Sequence, residues 1–134
     1  MGDKGFLSKD ITVQDLITHM GDIHHIFPKD YLKRNGLKRG EYNQIANYVY
    51  MQSEINIKIG SKSPKDYFAD ILKQCEGGKF KYGAIDSTQK LEENLKQNCI
   101  PVSVYEMSFN SYQDFLEQRR KLIARKIRDY YLSL

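Results

Sequence analysis

The sequence predicts an α+β domain in which a short two-stranded antiparallel hairpin and one helix are embedded in a mostly helical frame. Two short runs, at residues 22–27 and 47–52, are rich in β-branched or aromatic residues and suit strands. Apolar residues recur at helical spacing from about residue 111 to the end, which predicts a long C-terminal helix. At 134 residues the chain fits one domain, which we expect to span residues 1–134.

The first element that we expect is a short helix from Thr12 to about residue 19. Asp15 lies three positions after Thr12, as in a capping box whose usual Glu or Gln is replaced by Asp. A strand leaving the core should then cover residues 22–27, because its apolar residues are closed by Pro28.

The middle of the chain should complete a strand, loop, strand, helix unit. Residues 29–44 contain glycines and many charged residues, so we expect a long connecting loop with some helical turn, too polar for the core. The Tyr- and Val-rich run at residues 47–52 suits a second strand that pairs with the first. Ser53 is placed to cap a short helix over residues 54–59, which Gly60 ends.

The rest of the chain should form a helical frame. Pro64 marks the start of a helix over residues 65–74, and a glycine-containing loop covers residues 76–86. A serine-capped helix follows over residues 88–98. We expect the apolar stripe of the last helix to belong to the core. That stripe consists of Tyr112, Phe115, Leu116, Leu122, Ile123, Ile127, Tyr130, Tyr131 and Leu134.

Composition excludes several classes of protein. With 40% hydrophobic and 28% charged residues, the chain is close to an average globular domain and unlike a disordered or fibrous one. No apolar run is long enough to cross a bilayer and the N-terminus lacks a secretion signal, so we expect a cytoplasmic protein without membrane association. Cys75 and Cys99 form neither a CxxC pair nor a disulfide framework, and we expect reduced thiols.

The formal net charge of +4 is concentrated in one segment. Residues 29–40 contain five basic residues and one acidic residue, and the C-terminal helix is also basic. A basic segment beside a reactive site suits a polyanionic substrate, because cations that neutralise phosphates release counterions. A solvated basic loop is the alternative interpretation.

The pair His24 and His25 precedes the end of the first predicted strand. Adjacent strand residues point to opposite faces, so both imidazoles could serve one site only at a strand end or a bend, which Pro28 and the following loop supply. A neutral imidazole can bind a metal ion or accept a proton at cellular pH. The alternative is one buried, hydrogen-bonded histidine and one surface histidine.

Two asparagines fall where the chain should return and meet the short helix. Asn47 starts the second predicted strand, and Asn56 follows within the helix. An amide oxygen can complete the shell of a hard divalent cation, and an amide can also brace a loop by bonding its backbone. Either residue alone could equally be an ordinary turn or cap residue.

Together these residues form an ordered pattern. The string DIHHIFP at residues 22–28, IAN at residues 45–47 and Asn56 before a Lys- and Gly-containing exit resemble the HNH nuclease finger, also called the ββα-metal or His-Me finger. The closest resemblance is to the version that forms the C-terminal half of restriction-like prokaryotic proteins whose N-terminal half is ParB-like. The ending FLEQRRKLIA resembles that group as well.

The resemblance implies a fold and an activity. The finger would cover about residues 20–68, within a helical frame over residues 1–19 and 64–134, and the piece would belong to a longer protein with an N-terminal ParB-like domain. The implied activity is metal-dependent hydrolysis of DNA phosphodiester bonds, in restriction or defence. A catalytically inactive DNA-binding or assembly module on the same fold is the alternative, and a purely helical interaction domain with incidental histidines is a third.

The resemblance also implies roles for individual residues. It makes His25 the general base and Asn47 the amide that braces the loop and orients that base. His24 and Asn56 become metal ligands, and a shell of one imidazole and oxygen ligands favours Mg²⁺ or Mn²⁺. Asp22 could orient an imidazole or be a plain strand-edge carboxylate. Five basic residues flank the site and are predicted to contact DNA phosphates: Lys29, Lys33, Arg34, Lys58 and Lys62.

Overall fold

A computed structural model of the protein describes residues 2–18 and 23–134. Within these ranges the helices are α1 (Val13–Thr18), α2 (Lys29–Arg34), α3 (Arg39–Tyr42), α4 (Ser53–Ile59), α5 (Pro64–Cys75), α6 (Thr88–Gln97) and α7 (Tyr112–Leu132). The strands are β1 (Ile23–His25) and β2 (Tyr48–Tyr50), and 3-10 turns cover Ile45–Asn47, Val102–Glu106 and Phe109–Ser111. The predicted class is therefore confirmed as mixed and mostly helical, with one small sheet and a long C-terminal helix.

The two strands pair antiparallel, although they are far apart in the chain. Ile23 faces Tyr50, His24 faces Val49, and His25 faces Tyr48. The predicted strand at residues 22–27 is thus shorter than expected, and its first residue, Asp22, lies outside the described residues. β1 ends at His25, so the expected strand end does fall at the histidine pair.

The connection between the strands differs from the predicted loop. It folds into α2 and α3, each of which places one apolar side chain in the core. Leu32 is completely buried and Tyr42 is 8% exposed. The charged composition of the segment did not indicate that Leu32 and Tyr42 would be buried, because a short amphipathic helix can dock on a core through one apolar residue.

Helix ends follow local chemistry. Thr12 and Asp15 exchange side-chain to backbone hydrogen bonds of 3.0 Å in both directions, which confirms the predicted capping box of α1. Ser63 and Ser87 accept from backbone N–H groups at the starts of α5 and α6. Gly60 ends α4 with a φ of 60°, as predicted, but the N-cap of α4 is Gln52 and not Ser53.

The core lies where α5, α6 and the first half of α7 enclose the hairpin. Phe27 emerges from β1 and packs against the rings of Tyr112 and Phe115, with centroids 5.2 and 5.0 Å apart. The N-terminal segment is also buried, and Asn94 of α6 holds it by accepting from Leu7 N at 2.8 Å and donating to Gly5 O at 2.9 Å.

The prediction that the whole apolar stripe of α7 belongs to the core was wrong. The first two turns are buried, but Ile127, Tyr130, Tyr131 and Leu134 are between 52% and 81% exposed. Helical periodicity shows which face is apolar, but not how far the surface that covers it extends. None of the described helices is long and apolar enough to cross a membrane.

Candidate active site

His25 is the last residue of β1 and is half-buried. Its Nε2 lies 3.0 Å from Oδ1 of Asn43, which belongs to the segment between α3 and the 3-10 turn at Ile45–Asn47. The ring also packs edge-on against Tyr48, its partner across the sheet, with centroids 5.0 Å apart. One contact from the connection between the strands and one from β2 therefore fix the plane of the imidazole.

The contact with Asn43 also selects a tautomer. An amide oxygen only accepts hydrogen bonds, so Nε2 of His25 must carry the hydrogen that it donates. In a neutral imidazole the other nitrogen, Nδ1, then has its lone pair available. His25 is thereby arranged to accept a proton at Nδ1.

Asn47 is completely buried and braces the chain immediately after His25. Its Oδ1 accepts from the N–H of Phe27 at 2.8 Å, and its Nδ2 donates to the carbonyl of Phe27 at 3.0 Å. Its own carbonyl accepts from the N–H of Ile26 at 2.8 Å. The bend after β1 is therefore attached to the start of β2, which is the geometry expected of a loop-bracing amide.

The two predicted metal ligands lie on the first strand and on the helix of the strand, strand, helix unit. His24 is half-buried in β1 and pairs with Val49, and Asn56 is half-buried in α4, which begins shortly after β2. An imidazole nitrogen and an amide oxygen suit a divalent cation that keeps water and substrate oxygens in its shell. Within residues 2–18 and 23–134, no three His, Cys, Asp or Glu side chains gather to hold a metal ion by themselves.

The residues predicted to contact phosphates differ in their exposure and in the contacts that their charged groups already make within the protein. Lys33 and Lys58 are exposed, and Nζ of Lys29 lies 5.7 Å from the centre of the Tyr42 ring. Arg34 donates from Nη2 to the carbonyl of Ser61 at 2.9 Å, which attaches α2 to the segment after α4. The basic helix α2 therefore lies beside the exit of the strand, strand, helix unit.

Lys62 is already engaged by the protein. Its Nζ is 3.1 Å from Oδ2 of Asp70 and 3.2 Å from the hydroxyl of Tyr82, and these hydrogen bonds raise its pKa. Partial burial alone would raise the pKa of Asp70, but the hydrogen bonds from Lys62 and Tyr82 outweigh it and lower that pKa. Lys62 can therefore approach a phosphate only in competition with Asp70.

Sequence reasoning missed Arg119, which anchors the site from α7. The residue is 6% exposed, and its guanidinium donates to the backbone carbonyls of Ala46, Tyr48 and Asn98. Burial lowers its pKa to about 10. Since Ala46 and Tyr48 flank Asn47, this one side chain holds the backbone on both sides of the bracing amide.

A signal for Arg119 was present in the sequence, whereas none pointed to Asn43. Arg119 interrupts the apolar stripe of α7 at a position that faces the core, and a cation at such a position needs hydrogen-bond acceptors. Asn43 reaches His25 only because of the path that α3 gives the chain. That path is a tertiary property with no local pattern.

A cleft of about 460 Å³ lies between the hairpin and α7. Its lining includes Ile23, Tyr48, Tyr50, Arg119 and Ile123, together with residues from the N-terminal segment and α6. Among the described residues that line it, neither the histidine pair nor Asn56 is present. His25 pairs with Tyr48 and Ile23 pairs with Tyr50, so His25 is on the same face of the hairpin as these lining residues.

Comparison with known proteins identifies one similar segment. An uncharacterized protein of Methanocaldococcus jannaschii is 30% identical to this chain over 117 residues, which cover 78% of the chain and 20% of that protein. The chain thus spans about a fifth of the length of the curated relative that it matches. No family model matches the chain, and no solved structure matches it.

Proposed function

We propose that this domain is a metal-dependent DNA endonuclease of the HNH type, with β1, β2 and α4 as its ββα-metal finger. The observation that carries the proposal is the double hydrogen bond of Asn47 to Phe27, which fixes the chain directly after the paired histidines. A bracing amide, a histidine at a strand end and a helix that follows the second strand are the parts that such a finger needs.

His25 would act as the general base. Its Nε2–H is held by Asn43, so Nδ1 would accept a proton from the water that attacks the phosphodiester. Asn47 acts through the backbone of Phe27 and keeps the end of β1 in place. Positioning of this kind is worth as much as the base itself, since a small misplacement of a reacting group costs rate steeply.

His24 and Asn56 would hold a divalent cation, Mg²⁺ or Mn²⁺. When bound, such a cation stabilises the negative charge that develops on the phosphate and on the leaving oxygen. The donor set supports this assignment, because one imidazole and one amide oxygen leave several positions for water and phosphate oxygens.

The basic residues beside the finger would hold the DNA backbone. Lys29, Lys33, Arg34 and Lys58 have exposed side chains near the ends of α2 and α4, and Lys62 would contribute after exchanging Asp70 for a phosphate. Neutralised phosphates release counterions, so binding should weaken linearly with the logarithm of the salt concentration.

We further infer that the domain works as part of a longer protein. The relative that it matches is about five times longer than the matching region, which leaves room for other domains. By the resemblance, such a domain would be ParB-like and N-terminal, and the whole protein would serve in restriction or defence. An N-terminal partner of this kind would select the DNA that the finger cuts.

Cleavage of supercoiled plasmid tests the proposal. We expect nicking with Mg²⁺ or Mn²⁺ and none with chelator, and His25→Ala should lose the 10²- to 10⁴-fold that a general base contributes. The same variant should keep its melting temperature and its affinity for DNA. Asn35→Ala, on the exposed end of α2, is the control and should nick as the parent does. Nicking by His25→Ala at the parental rate would exclude the assigned role.

An inactive DNA-binding module on the same fold is the second candidate. It would use the same exposed cations of α2 and α4 to hold DNA, without a working metal site. This candidate predicts salt-sensitive DNA binding without nicking under any metal. It also predicts no rise in melting temperature on adding Mn²⁺, whereas a metal that binds only the folded protein must raise it.

A further inference from the structure

The loop at residues 76–83, which joins α5 to the segment before α6, is unusually well held for a loop rich in glycine. The buried amide of Gln74 accepts from the N–H groups of Lys81 and Tyr82 at 2.9 Å each, and donates to the carbonyls of Tyr82 and Ile85. One side chain thus makes three hydrogen bonds to the second half of the loop and a fourth to Ile85 just beyond it.

Both ends of this 76–83 loop are also constrained. A Cβ at Gly78 would lie 2.8 Å from the carbonyl oxygen of Lys73. Gly83 has a φ of 66°, and a Cβ there would lie 2.7 Å from the carbonyl oxygen of Leu7. These positions therefore require glycine, because any side chain would collide with fixed backbone. The loop is a positioned element of the fold.

This fixed loop presents an aromatic ring to solvent. Phe80 is 61% exposed, and Lys79 and Lys81 on either side of it are exposed as well. Tyr82, two positions later, is buried, so the loop buries one aromatic ring in the core and exposes the other. An exposed ring between two cations is the arrangement that binds single-stranded nucleic acid, whose bases stack on rings and whose phosphates need cations.

The charge around the loop points to the same ligand. Nζ of Lys62 and Nζ of Lys81 lie 3.1 and 4.0 Å from the same oxygen of Asp70, and both lie over the ring of Tyr82. Lys62 and, more weakly, Lys58 lower the pKa of Lys81. A cluster with more cations than carboxylates is relieved when an anion binds.

The loop is joined to the proposed nuclease finger. A Cβ at Gly83 would lie 3.2 Å from Cδ1 of Ile55, so the loop packs directly on α4. Lys58 and Lys62, at the end of α4 and just after it, lie beside both the proposed finger and the 76–83 loop. The lysines at the end of α4 therefore lie beside those of the 76–83 loop, and together they form one cationic surface that includes Phe80.

We propose that the 76–83 loop is a second DNA contact, in which Phe80 stacks on an unpaired base while Lys79 and Lys81 hold the neighbouring phosphates. A ring can stack only on a base whose face is free, so the DNA that fits is single-stranded or carries a frayed or displaced strand. This inference rests on the proposed function, in that DNA is the substrate.

Replacing Phe80 by tryptophan gives a direct readout, because the protein contains no tryptophan. Phe80→Trp should bind a short single-stranded DNA as tightly as the parent, and its fluorescence should be quenched as the base stacks. Titration in chelator excludes cleavage. Unchanged emission at DNA concentrations that saturate binding would overturn the inference.

Anisotropy with a fluorescein-labelled single strand separates stacking from charge. Phe80→Leu should bind about tenfold more weakly with the same salt dependence, since stacking on one ring is lost and no phosphate contact changes. The double variant Lys79→Gln, Lys81→Gln should reduce the slope of log K against log salt by about 1.4, at about 0.7 for each phosphate. Val102→Ala removes an exposed apolar side chain on another surface and should bind as the parent does.

These experiments fail independently of the nuclease proposal. If the parent nicks plasmid but Phe80→Leu binds single-stranded DNA with parental affinity, the loop assignment is wrong and the nuclease proposal stands. If no metal supports nicking but Phe80→Leu still weakens binding, the loop assignment stands and the nuclease proposal is wrong. A parent that binds no single-stranded DNA overturns the loop assignment.

Discussion

The side-chain amide of Asn47 satisfies both backbone polar groups of Phe27, with Oδ1 2.8 Å from its nitrogen and Nδ2 3.0 Å from its oxygen. Because both residues are completely buried, water cannot replace either hydrogen bond. Loss of this side chain would therefore leave two buried backbone groups of the bend after β1 without partners.

Asn47→Ala should lower the free energy of unfolding by about 2–4 kcal/mol, because it leaves a buried N–H and a buried carbonyl without partners. Urea unfolding followed by circular dichroism measures this loss. Asn35→Ala removes an exposed amide that bonds only the carbonyl of Tyr31, and should change the same quantity by less than about 0.5 kcal/mol. Equal midpoints for the two variants would refute the bracing role.

Asn43→Ala should reduce the turnover of plasmid about 10- to 100-fold, as expected when a partner that orients a reactive imidazole is removed. The KM for DNA and the melting temperature should hardly change, since Asn43 is only half-buried. Asn43→Asp keeps an oxygen that can accept from Nε2 of His25, and it should restore part of the turnover. A loss confined to KM would show that Asn43 contacts DNA instead.

Arg119→Lys should destabilise the protein by about 2–4 kcal/mol, although the charge is kept. One ammonium group cannot reach the carbonyls of Ala46, Tyr48 and Asn98 together, so at least one buried acceptor loses its donor. Arg120→Lys, next to it on the exposed side of α7, is the matched control and should unfold at the parental urea concentration.

Two tyrosines of the core should respond oppositely to loss of their hydroxyls. Tyr67 donates to the carbonyl of Ile26 at 2.7 Å, so Tyr67→Phe should cost about 1–2 kcal/mol. The hydroxyl of Tyr105 is buried and has no hydrogen-bond partner among the described residues, so Tyr105→Phe should leave the stability unchanged or raise it slightly. Differential scanning calorimetry of both variants checks the contrast, and a larger loss for Tyr105→Phe would contradict it.

Stability should fall as the pH rises above about 10. Burial raises the pKa of Tyr105 and of Tyr112 to about 12, and raises that of Tyr67 well above its ordinary value. Between pH 10 and 12 the unfolded chain releases these phenolic protons while the folded protein keeps them, so the unfolded state gains. Arg119 opposes the trend, since its lowered pKa lets the folded state release a proton first.

Urea midpoints measured from pH 8 to pH 11.5 test this dependence. The midpoint should be flat up to about pH 9.5 and should then decline. Tyr105→Phe removes one of these phenols without removing a hydrogen bond to any described residue, and the midpoint of this variant should therefore decline less steeply. A midpoint that holds steady to pH 11.5 would mean that these phenols are solvated.

Local sequence signals predicted those parts of the fold that local chemistry determines. Thr12 with Asp15, Gly60 and Pro64 each mark a helix end in the structure. The predicted strands contain β1 and β2, because runs of β-branched and aromatic residues pack well on a paired strand.

Tertiary relationships were not predictable in the same way. Leu32 and Tyr42 are isolated apolar residues in charged surroundings, and only the docking of α2 and α3 shows that they are anchors. Of the predicted site residues, Asn47 bonds the backbone of Phe27, and its role in a reaction stays a prediction. Asn43 and Arg119 reach the site from segments whose approach depends on the completed fold.

The connection between β1 and β2 runs from residue 26 to residue 47 and contains two helices, so no tight turn sets the register of the strands. Closing so long a loop around strands of three residues is entropically unfavourable until the intervening helices have docked. We expect the strands to pair among the final steps of folding. A chain interrupted earlier would hold most of its helices and still lack the strand pairing that places His25 against Tyr48.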